Sequence, residues 1–321
     1  MIRLWFCLAL AFSALPSHAE SSKDPLTWLS RVASAGQRLN YVGTFTYQNG
    51  QHLETSRITH LRDASGEYER METLDGSPRE VVRANGEVRC ILPEQKTVIV
   101  DQAGGARAFP SRLALAGQNL SESYRIDLGG KDRVAGLEAQ EIILSPRDDL
   151  RYGHTFWVDI NSGLLLRSRM VGDGGALIEQ FAFNDVRIGG TVAPADVKSH
   201  YIAKPDWHVI NTRSSEVRMD QLPWVSRAML PGFMLNSAMR RSLSKEHSDA
   251  LQFVFSDGLA SVSVFVEPLH KGSQPVDLGA ARSGAISIYK RVLGNYVVTA
   301  LGEVPARTVE RLAEGIEPRK E

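Results

Sequence analysis

Apolar and polar positions alternate with a period of two along most of the chain, which predicts β-strands. In the first such run Tyr41, Phe45 and Tyr47 share one face, and threonines occupy the other. The run ends at Asn49-Gly50, a pair that favours a two-residue hairpin turn because both residues tolerate positive φ. Asp-Gly and Asn-Gly pairs recur between later apolar runs. The pattern therefore predicts a long antiparallel meander rather than the alternating strands and helices of a parallel sheet.

Helical periodicity is clear at only two places, one near each end of the chain. Asp24 is a natural N-cap and Pro25 suits the first helical position. The apolar stripe of this first helix consists of Leu26, Leu29, Val32 and Ala33. A last helix is predicted to start at Pro305, with a stripe formed by Val309, Leu312, Ala313 and Ile316. A shorter helical interruption is expected over residues 109–116.

A change in composition predicts a division of the chain into two domains. Residues 204–221 lose the clean period and contain Pro205 and Asn211, which is typical of a linker and would suit a hinge. Short strand-like runs resume beyond it. Because 321 residues exceed the usual size of one domain, we predict a first domain over residues 20–204, a linker over 205–221 and a smaller second domain over 222–318.

The first nineteen residues have the pattern of a secretory signal peptide. Arg3 precedes an apolar run over residues 4–15, and Ser17-His18-Ala19 offers small residues for cleavage. The run is much shorter than the roughly 20 residues that a membrane-spanning helix needs. We therefore predict that residues 1–19 are removed on export, which leaves Cys90 as a single cysteine.

Composition places the chain among ordinary folded proteins and excludes several classes. Hydrophobic residues make up 43% and charged residues 23%, which excludes a largely disordered chain. The 37 basic and 37 acidic side chains balance, so nothing indicates a nucleic-acid binder. Two cysteines are too few for a disulfide-rich scaffold or a four-thiolate metal site.

The sequence contains no familiar catalytic or metal-binding motif. It lacks a G-x-S-x-G elbow, an H-E-x-x-H pair and glycine-rich phosphate or dinucleotide loops. The adjacent Asp148 and Asp149 are expected to point in opposite directions, which does not suit shared-proton chemistry. We therefore expect no enzymatic activity, no cofactor and no metal, with a hydrolase built from distant residues as an alternative.

An antiparallel sheet with so few helices leaves much of its apolar surface without cover. The first domain is therefore expected to have a partly open trough that accepts an acyl chain. The candidate lipid-binding residues are Tyr41, Phe45, Tyr47, Met71 and Trp157. The alternative interpretation is that these side chains pack beneath the helix that carries Trp28.

Five stretches of the sequence are distinctive: YVGTF at 41–45, HTFWVD at 154–159, LPWV at 222–225, FSDGLASVSVF at 255–265 and VTALGEVP at 298–305. They resemble the MucB/RseB family, whose members regulate the bacterial envelope-stress sigma factor (sigma-E or AlgU). The resemblance extends from the signal peptide to the last helix.

The resemblance implies a mainly β fold of the α+β class. The first domain is expected to be a LolA/LolB-like incomplete antiparallel β-barrel with helical cover, and the second a smaller antiparallel sheet-and-helix domain. A non-enzymatic periplasmic protein is implied, which binds the periplasmic segment of a MucA/RseA-type anti-sigma factor. Binding would protect that segment from regulated proteolysis and keep the sigma factor inactive. Lipid or lipopolysaccharide would release it.

Partner binding is expected at the start of the second domain, where residue types enriched at interface cores are concentrated. The candidates are Trp224, Arg227, Met229, Leu230, Phe233, Arg240 and Arg241. Alternatively, Phe233 belongs to the core and the arginines meet lipopolysaccharide phosphates. A periplasmic lipid or lipoprotein carrier is the alternative function, although a carrier would not need the second domain. An exposed apolar groove would also favour a homodimer.

Overall fold

A computed structural model describes residues 24–101, 120–228, 230–242, 250–269 and 277–319. The helices are α1 (Pro25–Arg38), α2 (Leu120–Ser123) and α3 (Ala306–Glu314), with single 3-10 turns at Asp173–Gly175 and Met219–Gln221. The two helices predicted near the chain ends are confirmed. The helix predicted over 109–116 and the predicted signal peptide lie outside the described residues.

Helix α1 begins where its sequence supplies a cap. The Asp24 carboxylate accepts hydrogen bonds from the backbone N–H groups of Leu26 (3.2 Å) and Thr27 (3.1 Å). These bonds satisfy two donors that have no partner within the helix. The buried stripe of α1 then packs on the sheet through Trp28, Leu29 and Val32. Within the described part of the chain, no helix combines the length and the apolar character needed to cross a membrane.

Strands make up most of the described chain. The first eleven are β1 (Tyr41–Asn49), β2 (His52–Asp63), β3 (Gly66–Thr73), β4 (Glu80–Ala84), β5 (Glu87–Leu92), β6 (Thr97–Asp101), β7 (Tyr124–Val134), β8 (Leu137–Pro146), β9 (Gly153–Asp159), β10 (Leu165–Val171) and β11 (Leu177–Ile188). The others are β12 (His208–Glu216), β13 (Trp224–Ser226), β14 (Met234–Ser242), β15 (Ala250–Ser256), β16 (Ser261–Pro268), β17 (Gly279–Ser283), β18 (Ile286–Leu293), β19 (Tyr296–Gly302) and β20 (Ile316–Pro318).

Apart from β13 and β20, which pair with each other, the described strands join into one continuous series of ladders. In the first domain the order is β7-β8-β9-β10-β11-β1-β2-β3-β4-β5-β6, and every pair is antiparallel. In the second domain the order is β12-β14-β15-β16-β19-β18-β17, again antiparallel throughout. Among the described residues β7 pairs only with β8 and β17 only with β18, so the sheet does not close on itself. The predicted mainly β class with an incomplete barrel is confirmed.

Strand β12 joins the two sheets within the segment that was predicted as a linker. Its first half pairs in parallel with β6, from His208 opposite Thr97 to Thr212 opposite Asp101. Its second half, residues 213–216, pairs antiparallel with β14. Sequence reasoning missed this strand because its residues are mostly polar or exposed and show no buried alternation. The segment is therefore ordered by pairing on both sheets and is not an irregular linker, while the domain boundaries themselves stay a prediction.

The last helix and strand of the chain complete the core of the second domain. Gly315 ends α3, where a Cβ would come within 2.4 Å of the Ala228 side chain. Ile316, predicted on the last helix, lies instead in β20, which pairs with β13. Its side chain is buried in the core of the second domain together with Val309 and Leu312 of α3. The chain end thus contributes to the packing that this domain needs.

Candidate functional site

The five predicted lipid-binding residues lie in one apolar group, which we call the aromatic cluster: Tyr41, Phe45, Tyr47, Met71 and Trp157 with Phe181 and Phe183. Tyr41 is fully buried and stacks on the His60 ring at 5.0 Å between centroids. Phe45 meets the edges of Phe181 at 5.1 Å and Phe183 at 6.2 Å. The alternation in β1 therefore brought these rings together as expected.

The rings of the aromatic cluster pack closely against one another. Phe45 and Trp157 are buried, and the Tyr47 hydroxyl donates a 2.8 Å hydrogen bond to Glu179. Burial is the main cause that raises the pKa of both Tyr41 and Tyr47, which keeps them neutral. Neither of the two cavities described below is lined by any of the five candidates. Their lipid-binding role stays a prediction, and the geometry is that of a packed core.

A cavity of about 490 Å³ lies elsewhere, beneath the segment that connects β11 to β12. We call residues 191–203 the strap. Val192 and Val197 of the strap are buried against Leu61 of β2. The apolar lining of this strap cavity comes from five strands and the strap, and includes Leu61, Val82, Ala84, Ile91, Val98 and Val197. Exposed Arg89, Lys198 and Asp63 also line it, so two cations and one carboxylate lie at its rim.

Sequence reasoning missed the strap cavity. Residues 191–203 have no regular period, and their partners in β4 to β6 are more than ninety positions away in the chain. A weak signal was present in β4, where Val82 and Ala84 alternate with Arg83. A second cavity of about 580 Å³ lies at the hairpin ends near Glu54 and Arg79 and has a more polar lining.

The strap is fastened to the sheet by a polar group that we call the clasp: Arg70, Glu72, Glu80 and His200. His200 Nδ1 lies 2.9 Å from Glu80 and 3.2 Å from Glu72, and Nε2 lies 2.6 Å from the Arg70 guanidinium. Glu80 also accepts a 2.6 Å hydrogen bond from Ser199 and a 3.1 Å bond from the backbone N–H of His200. Because Glu80 is buried and holds both strap residues, the clasp orders this end of the strap.

The clasp has the spacing of a metal site, with ligand atoms of Glu72, Glu80 and His200 within 4.8 Å of one another. A guanidinium only donates, so His200 Nε2 must accept from Arg70 and Nδ1 carries the proton. A metal on Nδ1 would move that proton to Nε2, directly against the Arg70 N–H. The arrangement therefore fits a hydrogen-bonded clasp better than a metal site.

The predicted partner-binding residues have different surroundings. Trp224 and Leu230 are buried in the core of the second domain, and the Trp224 ring meets Tyr296 edge-on at 4.9 Å. Phe233 is half-buried beneath the guanidinium of Arg151, at 4.9 Å. Their partner-binding role stays a prediction, but the first two have little surface to offer without rearrangement.

The remaining partner-binding candidates are arginines and one methionine. Arg227 is exposed and donates a 2.6 Å hydrogen bond to Glu317. Arg241 is half-buried and donates a 3.3 Å bond to Asp101 of the first domain. Arg240 is exposed. Met229 lies outside the described residues. Among the described candidates, Arg227 and Arg240 are thus the most exposed.

Family models match nearly the whole described chain. The model of the MucB/RseB N-terminal domain matches residues 24–201, and that of the MucB/RseB C-terminal domain matches residues 218–317. The chain belongs to the MucB/RseB family. This membership confirms the resemblance carried by the five stretches of sequence. The residues between the two family models, 202–217, contain the whole of β12.

Relatives in this family are regulatory proteins of sigma factors. The chain is 32% identical to the sigma factor AlgU regulatory protein MucB of Pseudomonas aeruginosa, over 97% of this chain and 96% of that protein. It is 28% identical to the sigma-E factor regulatory protein RseB of Escherichia coli, over 98% of each chain.

Solved structures of MucB share the architecture. The complex structure of Pseudomonas aeruginosa MucA/MucB matches with a TM-score of 0.72 at 30% identity, over 93% of this chain and 100% of that one. A crystal structure of MucB in complex with MucA(peri) matches with a TM-score of 0.69 at 31% identity and the same coverage. Each match covers residues of both domains.

Proposed function

We propose that this protein binds the periplasmic segment of a membrane-spanning anti-sigma factor and thereby keeps an envelope-stress sigma factor inactive. The observation that carries the proposal is the match over 93% of the chain to MucB in its complex with MucA. By covering its partner, the protein would protect it from regulated proteolysis. It would act in the periplasm and without catalysis.

A binding measurement with the partner tests this proposal. The mature protein would be titrated with the periplasmic domain of a MucA-type anti-sigma factor from the same genome, and heat of binding recorded. We expect a saturable complex with a dissociation constant near or below about 1 µM, and slower cleavage of the partner by a broad-specificity protease. No detectable binding at about 100 µM would reject the proposal.

We further propose that the acyl chain of a releasing lipid enters the strap cavity rather than the aromatic cluster. The cavity has open volume and an apolar lining, whereas the aromatic cluster is filled by its own side chains. Arg89 and Lys198 at the rim suit an anionic headgroup. Each buried methylene contributes about 0.8 kcal/mol, so one chain brings enough free energy to shift partner binding.

If lipid weakens partner binding, the partner must also weaken lipid binding, so either affinity can be measured. Coupling of about 1–3 kcal/mol would change partner affinity roughly 5- to 150-fold, and the partner must weaken lipid binding by the same factor. We expect the affinity for a fluorescent fatty acid to fall when the protein is saturated with partner. Equal fatty-acid affinity with and without partner would reject release by lipid, and would leave partner binding itself unaffected.

Two variants separate the two candidate lipid sites. Val82→Trp places a large ring in the strap cavity and is expected to lower fatty-acid affinity at least about tenfold, while partner binding is kept. Met71→Ala, which removes a side chain packed on the aromatic cluster, is the matched control and should leave fatty-acid affinity unchanged. If Met71→Ala lowered fatty-acid affinity and Val82→Trp did not, the lipid site would instead be the aromatic cluster.

A further inference from the structure

A buried arginine of the first domain joins the two domains. Arg151 lies between β8 and β9, and its guanidinium donates to Asp148 at 2.9 and 3.0 Å. It also reaches into the second domain, where it donates to the Asp257 carboxylate and to the Pro231 carbonyl, each at 2.5 Å. The side chains of both Arg151 and Asp257 are fully buried. We call these contacts the interdomain clamp.

The second domain is built to present Asp257 at this point. One carboxylate oxygen accepts hydrogen bonds from the backbone N–H groups of Leu259 (2.9 Å) and Ala260 (2.7 Å), which shapes the turn between β15 and β16. The other oxygen accepts from Arg151 and, at 3.2 Å, from the Tyr124 hydroxyl of the first domain. Both oxygens of this carboxylate therefore have partners, and two of those partners come from the opposite domain.

The two domains also pack closely against each other around the clamp. Gly232 has φ +77°, and a Cβ there would lie 2.3 Å from the Ser123 hydroxyl and 3.1 Å from Arg151. The Leu150 side chain is buried in the core of the second domain, and its carbonyl accepts a 2.7 Å hydrogen bond from Thr308. An exposed ion pair, Arg307 with Asp149, lies at the edge of the same interface.

Other contacts between the domains are the β12 ladder and the pair of Arg241 with Asp101, whose side chains are only partly buried. A small apolar group of Tyr152, Met170, Ile178 and Ala285 is a further contact. Apolar burial depends on area and tolerates sliding. A buried ion pair does not, because a shift of a few ångströms would leave two charges desolvated and unpaired. The clamp is therefore the contact that discriminates most strongly between one domain arrangement and another.

We infer that the Arg151–Asp257 pair sets the relative orientation of the two domains in the arrangement that the anti-sigma segment binds. Arg151 is then a positioning residue for partner binding, a role that rests on the proposed function. Solved structures of MucB in complex with MucA match 93% of this chain, a span that includes both domains, with TM-scores of 0.72 and 0.69.

Variants that remove the charges of the clamp but keep side chains of similar size test the inference. Asp257→Asn keeps an oxygen for the turn and leaves Arg151 without its counter-charge across the interface. The double variant Arg151→Met/Asp257→Asn removes both charges, which avoids an uncompensated buried charge and is expected to preserve stability. Arg307→Gln, which breaks the exposed pair at the same interface, is the matched control.

Orientation is measured without the partner. Spin labels at the exposed positions Gln95 and Glu310, one in each domain, report the interdomain distance in a Cys90→Ser background of the mature chain. We expect one narrow distance distribution in the wild type and in Arg307→Gln, and a broad one in Asp257→Asn and the double variant. A double variant with the wild-type distribution would overturn the inference. Tryptophan fluorescence and thermal unfolding verify that each variant is folded.

Affinity for the anti-sigma periplasmic domain is measured with the same proteins. We expect a loss of about 5- to 150-fold in Asp257→Asn and the double variant, and a change of less than about twofold in Arg307→Gln. A broadened distribution with unchanged affinity would also overturn the positioning role. If the wild type itself does not bind, the proposed function fails, and the distance distributions alone still decide whether the clamp sets the orientation.

Discussion

At the scale of single residues, buried ionisable groups decide how stability depends on pH. Burial raises the pKa of Glu69 to about 7, against the opposing charge of Arg83, whose Nε lies 4.0 Å away. Burial lowers the pKa of His154 to about 4. The two effects have opposite consequences. The folded protein holds a proton on Glu69 more tightly than the unfolded chain does, whereas it resists protonation of His154.

Replacing Glu69 with glutamine should stabilise the protein at high pH only. The ordinary pKa of a glutamate is 4.5, and that of Glu69 in the folded protein is about 7. The free energy of unfolding therefore falls as pH rises from about 4.5 to about 7, and above that range the ionised Glu69 destabilises the fold by the full amount. We expect Glu69→Gln to raise the free energy of unfolding by roughly 2–4 kcal/mol at pH 8 and by little near pH 4.5. Urea denaturation at both pH values measures this difference.

A neighbouring glutamate on the same strand provides the control. A hydrogen bond from His60 lowers the pKa of Glu67, so its ionised form is favoured in the folded state. Glu67→Gln should therefore destabilise the protein at pH 8, opposite in sign to Glu69→Gln. Equal effects of Glu69→Gln at both pH values would contradict the assignment.

At the scale of elements, strand β1 shows how a glycine permits close packing within a sheet. At Gly43 a Cβ would lie 2.6 Å from the Asp185 carbonyl oxygen and 2.8 Å from the Phe183 ring of β11. The register between β1 and β11 shifts one residue further on, between Thr44 and Phe45. The bulge and the glycine together let β11 approach β1 where the aromatic cluster is most crowded.

Substitution of Gly43 by alanine should strain this contact. The obstructing atom is a backbone oxygen that cannot rotate away, so we expect Gly43→Ala to lower the free energy of unfolding by about 1–3 kcal/mol. Gly130→Ala is the matched control, since Gly130 also lies in a strand and a Cβ there would meet nothing within 4 Å. Chemical denaturation that gave the same stability for both variants would refute the close approach.

At the scale of the whole molecule, β12 and the interdomain clamp connect two separate cores. The first domain is packed around α1 and the aromatic cluster, and the second around α3 and the strands that surround it. The backbone N–H of His208 donates to Lys96 at 2.8 Å at the start of the parallel ladder. Because such a ladder repeats every second residue, Ile210 supplies the next donor to β6.

Loss of that donor should uncouple the domains during unfolding. Calorimetry of the wild type is expected to show one cooperative transition, because pairing and clamp link both cores. Ile210→Pro removes the N–H and should split the transition into two. Ile210→Ala, which keeps the N–H and loses only an exposed side chain, should retain a single transition. A single transition at the wild-type temperature in Ile210→Pro would show that β12 does not carry the coupling.

Sequence alone determined what depends on neighbouring residues in the chain. The alternation around Tyr41, the turn at Asn49-Gly50 and the cap at Asp24 predicted β1, its hairpin and α1, since each is set by groups a few positions apart. The adjacent Asp148 and Asp149 have different partners, Arg151 and Arg307, while their expected opposite directions stay a prediction. The family followed from stretches along the whole chain.

Tertiary structure alone decided which surface is filled and which is open. Whether the rings of β1 form a trough depends on how far β11 and β9 curve over them, and no local pattern encodes that curvature. The strap cavity and the interdomain clamp join residues about a hundred or more positions apart, such as Arg151 and Asp257. Periodicity shows which face of a strand is apolar, but only packing in three dimensions determines what covers it.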